Sequence, residues 1–215
     1  ILYRVAELLE GRREQFMAEV TASEGAQARR AQSIVDAAID RWVWYAGWAD
    51  KIATVLGAAN PVAGPYFSFS VPEPTGVVGL LAPQSSSLLG LVSVLAPAIV
   101  AGNTAVVVTS QDRPLPAITL SEVLATSDVP NGVVNILTGR TAELAPWLVA
   151  HADVNAVDLT GTATEMRPDL EKSAAGTVKR VLRVPPIEPD WSKKSDVSRL
   201  RAFLETKTVW HPMGM

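Results

Sequence analysis

The stretch from Glu73 to Gly161 most constrains the fold, because short apolar runs alternate in it with segments of helix length. The runs are Gly76–Ala82, Ala105–Thr109, Val133–Leu137 and Ala156–Thr160, each rich in Val, Ile or Leu. None alternates cleanly with polar residues, as expected of parallel strands covered by helices on both faces. Leu88–Ala101, Leu115–Ala125 and Thr141–Ala150 are long enough to be the crossover helices. The pattern predicts an α/β fold with a doubly wound parallel sheet and right-handed crossovers. A ligand of such a sheet sits at the carboxyl ends of its strands.

The flanks add helices before this unit and a tail after it. Ile1–Val20 carries apolar residues at helical spacing, with Gly11 marking a kink or break. A second helix is expected from Ala28 to Leu56, including the aromatic-rich Arg41–Ile52. Trp42, Trp44 and Trp48 could stack bases or sugars, but aromatics covering a core where a long helix crosses the sheet explain them better. Tyr66–Ser70 alternates at period two and reads as an edge strand leading into the first core strand. After Gly161 the sequence predicts a helix at Asp169–Ala175 and a fifth strand at 178–184. A stiff linker with Pro185, Pro186 and Pro189 follows, then a polar helix at Ser195–Thr206 and a short strand at Thr208–Trp210. This divides the chain into 1–184, one α/β domain, and 185–215, an appended tail.

Several function classes are excluded. No charged residue occurs from Thr75 to Gln111, yet Pro83, the polar run 84–87, Pro97 and Gly102-Asn103 interrupt it before ~20 continuous apolar residues accumulate. A buried strand–helix–strand is expected there, and no membrane span. The net charge of −3 leaves no basic footprint for nucleic acid or an anionic membrane. Cysteine is absent, which removes disulfides and thiolate metal sites and fits a cytoplasmic chain. No metal site is expected, since His151 and His211 lie far apart without suitably spaced carboxylates. Ser85, Ser86 and Ser87 lack a Gly-x-Ser-x-Gly elbow and read as a turn or helix cap. The first residue is Ile1, as in a processed piece or part of something longer.

Three blocks carry a family resemblance: Glu-Pro-Thr-Gly-Val-Val-Gly at 73–79, Leu-Ala-Pro-Ala-Ile-Val-Ala-Gly-Asn-Thr at 95–104, and Val-Pro-Asn-Gly-Val-Val-Asn-Ile-Leu-Thr-Gly at 129–139. With Tyr45–Ile52, His151–Val154 and Leu159–Thr162 in the same order, the chain resembles the aldehyde dehydrogenases. The resemblance implies a Rossmann-like domain that binds NAD, preceded by two N-terminal helices and ending in an oligomerisation strand. It places cofactor contacts at Pro83, Gln84, Ser110, Gly139, Thr160, Gly161 and Thr162. It also implies chemistry by a cysteine thiolate, an asparagine amide for the oxyanion, and hydride transfer to NAD.

The departures from the family pattern are specific. The oxyanion asparagine falls at Ser85 and the preceding tryptophan at Gln84. The lysine and glutamate that hold the adenosine ribose fall at Val108 and Gln111. Glycines expected near the nucleotide fall at Thr141, Ala145 and Met166. After Val184 the family continues into a catalytic domain with the nucleophilic cysteine. Here Pro185 follows, and Phe203–Trp210 resembles the family's own terminus, which packs on a neighbouring subunit; the alternative is that Thr206–Trp210 folds back on the chain's own Tyr66–Ser70 edge in a monomer. The resulting expectation is a non-catalytic module with NAD binding weak or lost. Its expected partners are a second copy or a full-length aldehyde dehydrogenase subunit or module. The alternative is an enzyme part, no catalytic residue of its own included, whose cysteine another chain or segment supplies. Binding of some other nucleotide is a third, weaker expectation.

Overall fold

The computed structural model describes residues 1–215 apart from Arg183, Pro186 and Met215. Arg183 of the expected fifth strand and Pro186 of the expected linker therefore lie outside the described residues.

Helices α1 (Leu2–Gly11) and α2 (Arg13–Glu24) break at Arg12, one residue after the glycine that lowers helix propensity. They bury Val5, Ala6 and Leu9, then Phe16 and Val20. The expected long helix divides into α3 (Ala28–Ala46) and α4 (Ile52–Leu56). The intervening turn begins at Gly47, whose carbonyl accepts the Lys51 ammonium at 2.5 Å. Trp42 is fully buried, while Trp44 meets Tyr45 edge-on at 4.8 Å, so this aromatic cluster is core cover.

Strands β1 (Ala58–Asn60) and β2 (Tyr66–Pro74) precede the parallel sheet and do not join it. The sheet contains β3 (Val77–Leu81), β4 (Thr104–Val108), β5 (Val134–Leu137), β6 (Ala156–Asp158) and β7 (Arg180–Leu182). Its order is β5-β4-β3-β6-β7 and every neighbouring pair is parallel. Crossovers run through α5 (Leu89–Val100), α6 (Leu115–Thr126), α7 (Thr141–Ala150) and α8 (Arg167–Ala175), the last entered by a 3-10 turn at Thr164–Met166. The larger core joins β3 and β4 to α1, α2, α3, α5 and α6 through residues such as Trp42, Leu80, Leu91, Leu95 and Leu120. A smaller one, with Leu81, Val108, Val149, Val157 and Leu170, packs α7 and α8 on the sheet. The segment 75–111 is thus a strand–helix–strand, and no helix of the described residues is long and apolar enough to cross a membrane.

The tail departs from expectation in the lengths of its elements, and its strand takes the alternative pairing within the chain. Helix α9 is only Ser198–Ala202, because Phe203 turns into the core instead of extending the helix. Strand β8 runs over Leu204–Pro212, much longer than Thr208–Trp210. It pairs antiparallel along the whole of β2, from Tyr66↔Pro212 to Pro74↔Leu204. Its β2-facing backbone is therefore satisfied within this chain and not by another subunit's edge. Correspondingly, Tyr66–Ser70 is no edge of the core sheet. It lies in the central strand of a separate sheet of order β1-β2-β8. Pro72 and Pro74 fall beyond the reach of β1, where β2 has only β8 beside it among the described residues, as suits a residue without an N–H.

Gly76 turns the chain from this sheet into β3 at φ +127, where a Cβ would stand 2.3 Å from Asn155 Oδ1. Buried Asn103 fastens the two sheets together. Its amide donates to the carbonyls of Ala98 and Phe203, each at 2.9 Å, and its Oδ1 accepts the Gly76 N–H at 2.9 Å.

Candidate functional site

The strand order reverses between β3 and β6, which places the ligand crevice of a doubly wound sheet at their carboxyl ends. Pro83 and Gln84 follow β3, Ser110 follows β4, Gly139 follows β5, and Thr160, Gly161 and Thr162 follow β6. Gln84 ties three of these loops together. Its Nε2 donates to the Ala82 carbonyl at 2.9 Å and to Thr141 Oγ1 at 3.4 Å, and its Oε1 accepts the Gln111 N–H at 3.0 Å. Ser110 Oγ donates to the Gln84 carbonyl at 3.0 Å. Pro83 is buried beside Gly90 at the start of α5.

The β6 loop meets the β3 loop directly. Gly161 N–H donates to the Leu81 carbonyl at 2.8 Å, and a Cβ on Gly161 would fall 1.8 Å from Ala82 O. No side chain fits there, which explains the glycine without any ligand. Thr162 Oγ1 donates to the Leu159 carbonyl at 2.5 Å. Gly139 stands apart from this group, exposed on the β5 loop, with its Cβ position 2.8 Å from Leu144 Cδ1. Val108 and Ala145 are fully buried, and Met166 packs on the smaller core.

The segment after β7 lies across these loops. Ser85 Oγ donates to Glu188 Oε1 at 2.5 Å, and the same oxygen accepts Trp191 Nε1 at 2.9 Å. Arg167 donates to the Pro185 carbonyl at 3.0 Å. The deepest anchor is Asp158, fully buried at the end of β6. Its Oδ1 accepts the Thr160 N–H at 2.9 Å and the Thr160 hydroxyl, while Oδ2 pairs with the Arg199 guanidinium. Arg199 also donates to Thr160 Oγ1 at 3.0 Å and lies 5.2 Å from the centre of the Trp191 ring.

Arg41 of α3 holds the same segment from below. It donates to Ser93 Oγ at 2.5 Å and to the carbonyls of Trp191 and Lys193 at 2.9 and 2.7 Å. Burial lowers the pKa of its guanidinium from the ordinary arginine value. Tyr45, one turn on, donates to the Asp196 carbonyl at 3.3 Å, and burial pushes its phenol up to about 12.

Asp158, Glu188, Trp191, Arg199 and Arg41 were not among the residues singled out from sequence. Asp158 carried a usable signal, since a carboxylate inside an apolar strand demands a partner. Arg199, in a polar segment, carried none. Of the other expected positions, Ser86 Oγ accepts the Gly90 N–H at 2.9 Å, and Glu24 accepts the Ser87 N–H and hydroxyl at 2.7 and 2.8 Å. Of the serine run, Ser86 alone therefore satisfies an N–H in the first turn of α5, whose N-cap position is Leu88. His151 ends α7 exposed, its Nδ1 accepting the Asp153 N–H at 3.3 Å, so it serves the turn that follows the helix. Among the described residues, no group of three or more His, Asp or Glu is placed to hold a metal.

Comparison with known proteins supplies the context for this geometry. The sequence model of the aldehyde dehydrogenase family matches residues 1–183. The chain is 30 % identical over 184 residues to D-glyceraldehyde dehydrogenase (NADP(+)) of Thermoplasma acidophilum, covering 86 % of this chain and 37 % of that protein. It is 31 % identical over 180 residues to an omega-crystallin of Enteroctopus dofleini, covering 84 % and 36 %. Among solved structures it resembles the NAD+ complex of an aldehyde dehydrogenase from Bacillus cereus, with TM-score 0.77, 26 % identity, and coverage of 84 % and 36 %. The chain thus spans about a third of the length of these proteins.

Proposed function

The chain belongs to the aldehyde dehydrogenase family, and on that footing we propose that it is a non-catalytic module with a structural role beside a dehydrogenase subunit or module. The observation that carries this reading is the seat of residues 187–199 across the carboxyl ends of β3 and β6, fastened by Arg199 on Asp158 and Glu188 on Ser85. By the resemblance the strand at 178–184 continues into a catalytic domain, whereas here the chain's own residues from Glu188 to Arg199 lie across those strand ends.

The chemistry agrees. With no cysteine in 215 residues, this chain brings no thiolate to an aldehyde carbonyl. Ser85, at the oxyanion position, directs its hydroxyl to a carboxylate, whose charge would oppose a developing oxyanion. We further infer that the residues at the cofactor positions do not fit NAD. The Gln111 N–H and the Thr141 hydroxyl are engaged by Gln84, and Val108 is core. Losing a charged donor and a charged acceptor to the ribose, at ~1.5–3 kcal/mol each, weakens affinity roughly 10²–10⁴-fold.

The assembly role draws on the second sheet. The edge of β8 facing away from β2 has no strand beside it among the described residues, and Trp210 is 61 % exposed on that strand, with its ring 6.0 Å from Tyr66. Such an edge with an aromatic anchor suits a second copy or a dehydrogenase subunit. A cytoplasmic setting completes the proposal.

The test is sedimentation of the purified chain, alone and mixed with a full-length aldehyde dehydrogenase, against Trp210→Lys. This variant keeps the β2 ladder intact. The reading requires a dimer or a mixed complex that the substitution disperses. A monomer at every concentration, with no mixed complex, overturns it.

A further inference from the structure

We propose that the cavity between α3 and residues 189–199 is a binding site for the phosphate group of a small phosphomonoester. The cavity measures about 450 Å³ and is walled by Arg41, Tyr45, Trp191, Lys193, Lys194 and Arg199, among others. Its volume is in the range of small-molecule sites, ~300–1,000 Å³. It shares Arg199 and Trp191 with the seat of the tail, whereas the side chains of Lys193 and Lys194 take no part in that seat.

Arg41 reaches the cavity from α3. Only 8 % exposed, its guanidinium is bonded to one hydroxyl and two backbone carbonyls, all neutral. Its Nε has no hydrogen-bond partner, and among the described residues no carboxylate forms an ion pair with it. A buried cation without a counter-charge attracts an anion, because little solvent screens it. Lys193 and Lys194 also form no ion pair among the described residues.

The local charge balance supports the same conclusion. Arg199 is matched by Asp158. Asp190 and Asp196, on the cavity wall, accept hydrogen bonds from Ser192 and Ser198, respectively, within their own turns. Of the four cations on the wall, Arg41, Lys193 and Lys194 therefore lack an ion-paired carboxylate among the described residues, and Arg41 is the desolvated one. The unpartnered Nε of Arg41 and the two lysine ammoniums supply three cationic donor groups for the three terminal oxygens of a phosphomonoester. The ligand's organic body would lie against Trp191, Leu182 and Pro189, the apolar part of the wall.

Calorimetric titration with glycerol 3-phosphate and with inorganic phosphate, at matched ionic strength and with sodium acetate as control, tests the site. Saturable binding of the ester is expected. Lys193→Ala/Lys194→Ala should weaken it about tenfold or more while leaving the melting temperature in chloride unchanged. These side chains are exposed and Arg41 needs only the Lys193 carbonyl, so the variant should fold. Equal affinity for inorganic phosphate would identify the free ion as the ligand and still support the site. No saturation by either phosphate up to about 10 mM, equal binding of acetate, or an unchanged affinity in the double variant overturns the proposal.

Discussion

Replacing Arg199 with Met removes the cation that neutralises Asp158 while keeping much of the side chain's apolar bulk. The Asp158 side chain has no solvent exposure and that of Arg199 has 15 %, so the pair is effectively interior. Oδ1 would keep its bonds from Thr160, but Oδ2 would be left charged and unpaired. Breaking a buried pair from one side costs about 3–5 kcal/mol, most of it the penalty of the stranded charge. In a chain of this length each kcal/mol shifts the melting temperature by ~2–4 °C, so a fall of roughly 6–20 °C is expected. Urea melts followed by circular dichroism give the free energy directly. Adding Asp158→Asn removes the stranded charge, so the double variant should be more stable than Arg199→Met alone. Trypsin should also cut at Lys193 or Lys194 faster in the single variant, because the segment has lost its deepest anchor. A loss below ~1 kcal/mol with unchanged proteolysis would refute the reasoning, since it would mean the carboxylate is solvated when Arg199 is gone.

Three other outcomes follow from the same geometry. Tyr45 has an ordinary phenol pKa of 10.0 raised to about 12 by burial, so below pH 10 both folded and unfolded chains hold the proton. Between pH 10 and 12 only the unfolded chain loses it, and stability should fall ~1.4 kcal/mol per pH unit, a slope that Tyr45→Phe flattens in alkaline melts. Gly161→Ala would drive a methyl into Ala82 O and should cost ~3 kcal/mol, at the upper end for overpacking, read from the shift in urea midpoint. The purified chain, freed of host dehydrogenases, should form no NADH above the blank with aliphatic or aromatic aldehydes, because it has no thiol.

The parallel sheet was legible because its strands are short apolar runs, and periodicity is a local property. Val77–Leu81, Thr104–Val108 and Val134–Leu137 fall within a residue of the expected spans. What sequence left open depends on long-range partners. Ser70 and Thr208 are 138 residues apart and share a hydrogen bond across β2 and β8, yet nothing local to either specifies the pairing. The polar run around Ser198 gave no sign that Phe203 would turn inward, so helix length was overestimated. The break after Ala46 was also hidden, since one glycine within a helical pattern is often tolerated. At the candidate site, Gln84 and Ser110 share a hydrogen bond, while Gly139 stands apart. The anchoring of the tail was invisible, because Asp158 and Arg199 meet only once the chain has folded across 41 residues.

The central claim is that the tail and the substituted loops have taken the dinucleotide crevice out of use. Isothermal titration of the intact chain with NAD+, repeated with NADP+, addresses it most directly. The account predicts no saturable heat below about 1 mM for either nucleotide, the consequence of Val108, Gln111 and the engaged Gln84. A dissociation constant in the low micromolar range, with one nucleotide bound per chain, would contradict it.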